Sequence, residues 1–221
     1  MTPIHRARLT QVRYLFDSWA RDGRADEMEQ SHAPFVRRVF QELDLPRDAW
    51  YLDIGCGNGY TVRWAAGAAP QGKAVGLDLS AEMVARARTA SAGLPNVEYL
   101  QAAFPSHNLP HGRFDVVFSM EVLYYLPDLN GAVQEVQRLL KPGGLFACMV
   151  DYYQENAASH GWPTDVGLDM TLLDEAGWRR MLEDSGLGVI EQRRVRLPPE
   201  EASESWNTTE GSLLTLARRP D

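Results

Sequence analysis

One stretch, Tyr51-Leu52-Asp53-Ile54-Gly55-Cys56-Gly57-Asn58-Gly59, constrains this chain more than any other. An apolar run enters three glycines at alternate positions, and a helical pattern follows. Where a strand turns into a helix on glycine, the main chain can press against a ligand, because no side chain blocks the approach. Asp53 adds polarity to that turn. A carboxylate there repels a diphosphate and attracts an ammonium or sulfonium group. A Gly-x-Gly-x-Gly turn is weak evidence by itself, so the residues downstream decide its meaning.

From residue 50 to 150, apolar runs alternate with helical patterns. The spacing predicts strands over 50–54, 73–79, 97–101, 114–119 and 144–150. Runs apolar on both faces are what a parallel sheet covered by helices requires. Between them, residues 61–69 form a helical pattern that ends near Pro70 and Gly72. Ser80 is placed to cap a helix with the stripe Met83, Val84, Ala87 and Ala90. Leu129, Val133, Val136, Leu139 and Leu140 line another, stopped by Pro142-Gly143-Gly144. A helix is predicted over 174–184, closed by Gly186, and two last strands over 187–195 and 212–218 separate across a long loop. The expected fold is α/β: a doubly wound, seven-stranded, mostly parallel sheet with an antiparallel edge.

Ahead of the sheet, Phe35, Val36, Val39, Phe40 and Leu43 mark an amphipathic helix. The charged segment 17–32 before it, with Trp19 and Met28 embedded, reads either as a solvated helix or as part of a lid formed by residues 1–32. Residues 151–172 are polar and aromatic without period, as a substrate cap inserted into one domain over 1–221 would be.

A length of 221 residues, 44% hydrophobic and 24% charged, suits a globular chain with a sizeable core. The net charge of −8 argues against broad nucleic-acid or anionic-membrane surfaces. No run has membrane-spanning length, and His5, Arg6 and Arg8 occupy an N-terminus without the apolar core of a secretory leader. Cys56 and Cys148 lie in apolar strand contexts, so a reduced cytoplasmic protein with neither disulfide nor metal is expected.

In such a sheet, ligands sit beyond the carboxyl ends of the strands. Asp78 ends the second strand, about 20 residues past the glycine turn, where an acid accepts both hydroxyls of a ribose. Four blocks now resemble the class I S-adenosylmethionine-dependent methyltransferases, of the small-molecule and orphan type. They are Asp53 to Gly59, Gly76-Leu77-Asp78-Leu79-Ser80, Leu109-Pro110 with Phe114-Asp115-Val116-Val117, and Leu139-Leu140-Lys141-Pro142-Gly143-Gly144. The resemblance spans about residues 45 to 150, and the two last strands fit the family's seven-stranded, Rossmann-like sheet.

The resemblance implies S-adenosyl-L-methionine as cofactor and S-adenosyl-L-homocysteine as product. Asp53 would meet the methionine ammonium, and Gly55, Cys56 and Gly57 would offer main chain to the same portion. Asp78 would take the ribose, Leu79 and Met83 would pack on adenine, and Phe104 would cover its other face. Met120 and Glu121 would line the path to substrate. One departure stands out: the family often has an acid after the third strand that accepts from the adenine amino group. Here Gln101-Ala102-Ala103-Phe104 places Ala102 at that position, at a loss of about 1 kcal/mol.

Methyl transfer from a sulfonium is an in-line displacement in which the protein mainly positions the nucleophile. Where the acceptor needs deprotonation, the candidate bases are Glu121, Tyr124, His160, His32 and Tyr152. The expected acceptor is a small molecule. A nicotinamide-dependent oxidoreductase would open its glycine turn onto a diphosphate without an acid at position 53. A cofactor-binding protein without turnover is the third reading of the same fold.

Overall fold

The structure is a computed structural model and describes residues 2–221. Seven strands form one sheet: β1 Trp50–Ile54, β2 Lys73–Asp78, β3 Val97–Gln101, β4 Phe114–Met120, β5 Leu140–Val150, β6 Gly188–Val195 and β7 Ser212–Arg218. Their order is β3-β2-β1-β4-β5-β7-β6. The first five run parallel, while β7 is antiparallel to both β5 and β6. The two late strands thus make the antiparallel margin, with the reversed strand one position in and β6 outermost.

Strand alternation explains the continuous apolar runs. Leu52, Ile54, Val117, Phe146 and Cys148 face one core with α1 (Pro3–Arg21), α5 (Leu129–Leu139) and α7 (Glu175–Asp184). Tyr51, Val116, Phe118, Ala147 and Met149 face a second core with α2 (Arg24–Glu42), α3 (Tyr60–Ala68) and α4 (Ala81–Ala90). Every strand residue named here is buried. Both sheet faces are covered, so both residue parities must be apolar. Short helices α6 (Trp162–Val166) and α8 (Trp206–Thr209) complete the chain.

The chain changes direction in the sheet between β1, which leads outward to β2 and β3, and β4, which leads the other way. That is the switch point at which open α/β sheets take ligands. Before the sheet, α1 and α2 form a helical pair broken at Gly23, whose φ of +85° suits glycine. They lean over the carboxyl ends of the strands. Asp17 Oδ1 accepts from the Ser80 hydroxyl at 2.6 Å, and Asp26 pairs with Arg86 at 2.7 Å. Glu29 accepts from the Asn58 amide at 2.6 Å. Among the described residues no helix is long and apolar enough to cross a membrane.

Candidate active site

The glycine turn forms as the residue pattern requires. Gly55 N–H donates to Leu77 O at 2.7 Å, tying the turn to β2. Gly55 has φ +73°, and a Cβ there would stand 2.2 Å from Val122 Cγ2. Gly59 has φ +80°, and its Cβ would stand 2.5 Å from the Tyr99 hydroxyl. Both positions therefore exclude side chains through backbone conformation and space together.

The turn opens on a cleft whose empty space, counting the part open to solvent, is about 990 Å³. The structure brings Asp53, Gly55, Cys56, Gly57, Asp78, Leu79, Met83, Ala102, Ala103, Phe104 and Met120 together around it, with Glu121. Their sources are the ends of β1, β2, β3 and β4 and the first turn of α4. The roof comes from α1 and α2: Val12, Phe16, Met28, Glu29 and His32 also line the cleft.

Asp53 is buried, and the Thr61 hydroxyl donates to its Oδ2. Burial pushes its carboxyl from 3.8 to about 8; the Thr61 hydrogen bond opposes that, and Asp78 adds to it. Without a cation beside it Asp53 thus mostly holds its proton at neutral pH, so the negative charge read from sequence is latent. A cation must arrive to draw it out. Asp78 is milder, raised to about 6 by burial against backbone hydrogen bonds. Its Oδ1 accepts from Ser80 N–H and its Oδ2 from Gly57 N–H, each at 2.8 Å. Those two bonds fix the carboxylate and leave further lone pairs free. Ser80 itself caps α4, accepting from Met83 N–H at 3.0 Å. Ala102 carries no polar side chain, and its N–H donates to Asp78 O at 2.9 Å.

The candidate bases divide. Glu121 lines the cleft at φ +61°, a left-handed backbone that costs a non-glycine residue about 1–3 kcal/mol and tends to mark functional positions. The Tyr124 hydroxyl donates to Glu121 Oε2 at 2.6 Å, and Asp151 N–H donates to Oε1. Burial raises the Glu121 carboxyl well above its usual range, and Asp151 raises it further. His32 lines the roof, and desolvation lowers its imidazole to about 4, leaving it neutral.

Three expectations are corrected. Tyr124 is buried behind Glu121 and lines no part of the cleft; burial raises its phenol well above 10, which suits a donor to Glu121 rather than a base. Its neighbour Tyr125 is the one that faces the cleft. Tyr152 is buried edge-on to Tyr124, with ring centres 5.5 Å apart, and also lies off the cleft. His160 is exposed, with its ring nitrogen 3.0 Å from Gln154 O, and it too lies outside. The segment 151–172 contributes no wall to this cleft. It turns instead on local bonds such as Asn156 N–H to Tyr153 O, is tied to the segment after β4 by Thr171 N–H to Tyr124 O, and packs Trp162 against Trp206. Sequence reasoning missed Thr61 and did not single out the α1 residues Val12 and Phe16 within the expected lid. Thr61 carried a signal, since a hydroxyl two residues into the helix after the turn points back to the strand end.

A doubly wound sheet with a glycine turn and buried acids at the ends of its first two strands defines a cofactor-binding α/β enzyme fold. Comparison with known proteins narrows that class. Residues 52–148 match the family described as a methyltransferase domain. A structure of the complex between the Trm112 methyltransferase activator of Haloferax volcanii and its assigned methyltransferase superposes with a TM-score of 0.84 at 33% identity, covering 93% of this chain and 98% of that one. Trans-aconitate 2-methyltransferase of Azoarcus sp. (strain BH72) is 36% identical over 56% of this chain and 46% of the relative. Malonyl-[acyl-carrier protein] O-methyltransferase of Enterobacter lignolyticus (strain SCF1) is 36% identical over 57% of this chain and 49% of the relative. The chain spans about half the length of these curated relatives. It belongs to the class I S-adenosylmethionine-dependent methyltransferases, and its specific acceptor is unidentified.

Proposed function

We propose that the cleft binds S-adenosyl-L-methionine and that the chain transfers its methyl group to a small organic acceptor, releasing S-adenosyl-L-homocysteine. The observation that carries this reading is the pairing of Asp53 and Asp78 at adjacent strand ends around a bare main-chain turn. Asp53 takes the methionine ammonium, and Gly55, Cys56 and Gly57 bring backbone against the same portion. Asp78 takes the ribose hydroxyls. Leu79, Met83, Ala102, Ala103 and Phe104 form an apolar slot for adenine. Met120 and Glu121 line the passage to the acceptor, and Tyr124 orients Glu121. The relative named for trans-aconitate supports a small acceptor here. The acidic balance disfavours nucleic acid.

Residues 1–32 act as a lid on this reading. Support comes from the roof residues of α1 and α2 and from the Asp17–Ser80 and Glu29–Asn58 hydrogen bonds that hold them over the turn. A methyl transfer that excludes water gains from such closure.

Calorimetric titration with S-adenosylhomocysteine and with NAD tests the assignment. The expected result is binding of the first, no binding of the second, and a loss of roughly 1–3 kcal/mol in Asp78→Ala, where two hydroxyls lose their acceptor. NAD binding in place of S-adenosylhomocysteine, or an unchanged Asp78→Ala, would remove the assignment. Turnover is then sought with methyl-labelled cofactor and small carboxylic acids. It is run with and without a Trm112-type activator, because the Haloferax volcanii relative is known with one.

A further inference from the structure

We propose that His32, Glu121 and Asp151 form a binding site for one divalent transition-metal cation, which joins the α2 roof to the ends of β4 and β5. Each residue offers a donor atom, and the three donors lie within 4.8 Å of one another. Tetrahedral donors with bonds of about 2.1 Å stand about 3.4 Å apart, so the three side chains draw together by up to about 1.4 Å on binding the ion.

Four observations converge on this point. Asp151 is buried beside Ser212, and its Oδ1 and the Ser212 hydroxyl both lack a hydrogen-bond partner of good geometry. A buried carboxylate oxygen left without a partner is costly unless a ligand or a proton meets it. Glu121 and Asp151 lie side by side, and among the described residues no lysine or arginine pairs with either. Glu121 is held in a left-handed backbone by bonds to its own neighbours: its N–H donates to Met149 O at 3.1 Å, and its two carboxylate oxygens accept from Tyr124 and Asp151. That arrangement orients the carboxylate as outer partners orient metal ligands. His32 supplies the fourth observation: it sits on the α2 roof of the cleft that Glu121 also lines, with a ring nitrogen within reach of both carboxylates.

The donor set decides the class of ion. One imidazole nitrogen and two carboxylates suit Zn²⁺, Mn²⁺, Co²⁺ or Fe²⁺ better than the all-oxygen shells of Ca²⁺ or Mg²⁺. Three protein donors leave coordination positions open. An acceptor oxygen bound there would be polarised and fixed close to the methyl group. On the methyltransferase reading, on which this part of the inference rests, the acceptor is an oxygen compound able to chelate. Metal binding would also hold α2 closed over the cleft, since one ligand belongs to the roof and two to the sheet.

Chelator-treated protein is dialysed against Mn²⁺, Co²⁺ and Zn²⁺ separately, and bound metal is measured by mass spectrometry, with the visible bands of Co²⁺ reporting its ligands. One equivalent per chain is expected for at least one of these ions. His32→Gln, Glu121→Gln and Asp151→Asn should each weaken binding at least about tenfold. His111→Gln should leave it unchanged; that residue belongs to the surface cluster where His111 meets Glu135 at 2.8 Å, the obvious competing site. S-adenosylhomocysteine binding, measured on the same samples, confirms that each variant is folded. Metal occupancy below about 0.2 per chain with all three ions at millimolar concentration, or binding that survives both His32→Gln and Asp151→Asn, overturns the site. Cofactor binding without metal leaves the methyltransferase reading standing and removes this one; metal without cofactor does the reverse.

Discussion

Binding of S-adenosylhomocysteine should expel a proton, and Asp53 should be its source. Burial holds this carboxyl at about 8 when no cation stands beside it. At pH 7 it is therefore about nine-tenths protonated. A ligand ammonium beside it favours the ionised form and returns it toward its ordinary range. About 0.9 proton is released per ligand at pH 7, and Asp78, at about 6, adds about a tenth. Affinity must then fall as the medium acidifies. Between pH 7.5 and pH 6 the protonated fraction of Asp53 imposes a weakening of about 25-fold. The assay is calorimetry at pH 7 in two buffers of different ionisation enthalpy, whose difference in apparent enthalpy counts protons. Asp53→Asn keeps the shape without the titration, so its release should drop to about a tenth of a proton and its pH dependence should flatten. Equal enthalpies in the two buffers for the unmodified protein would refute the argument. The same shift acts on the free protein with a definite sign. A carboxyl raised in the folded state binds a proton that the unfolded chain has already lost. It stabilises fully below about pH 4, and that contribution fades as pH rises through about 8. From pH 6 to pH 8 the ligand-free protein should lose about 2 kcal/mol on this account, a loss that saturating cofactor suppresses.

Two further expectations concern the frame around the site. Gly59→Ala places a methyl group 2.5 Å from the Tyr99 hydroxyl on a backbone at φ +80°; the backbone alone costs about 1–2 kcal/mol, and denaturant unfolding should show at least that loss, whereas a change below about 0.5 kcal/mol would mean the turn relaxes freely. Glu29→Ala removes the 2.6 Å bond from the roof to Asn58; at about 1 kcal/mol per hydrogen bond, stopped-flow cofactor dissociation should speed up about fivefold with little change in thermal stability, and an unchanged rate would detach α2 from gating.

The sheet was legible because its residues answer to local rules. β1, β3 and β7 begin and end where their apolar runs do, and α5 stops at Leu139, just ahead of the Pro142-Gly143-Gly144 break. That break misled in one respect. β5 starts at Leu140 and carries the glycines inside it, since Leu140 pairs with Phe114 and an irregularity before Val116 absorbs the extra residues. The grouping of these residues around one cleft was legible because a glycine turn and an acid one strand later lie close in sequence. The donors at positions 32, 121 and 151 were not, because no spacing relates them. Only the order β1-β4-β5, with α2 folded over it, makes them neighbours. Protonation of Asp53 was also hidden. A sequence gives the residue type, while the shift comes from burial by side chains as distant as those of α2.

The missing acid at position 102 makes sense once the two ends of the cleft are compared. The polar groups gather at the amino-acid and ribose end, where Asp53 and Asp78 are both buried and both hydrogen-bonded. The other end is apolar: Leu79, Met83, Ala102, Ala103 and Phe104, with Phe104 buried and stacked on His107 at 5.4 Å. A carboxylate at position 102 would stand beside Asp78, whose carbonyl accepts from Ala102 N–H at 2.9 Å, and a second negative charge there would raise both carboxyls. On the proposed cofactor reading, the apolar residue forgoes one hydrogen bond to an exocyclic amine, about 1 kcal/mol, and in return leaves Asp78 no higher than about 6, ionised at neutral pH for the ribose.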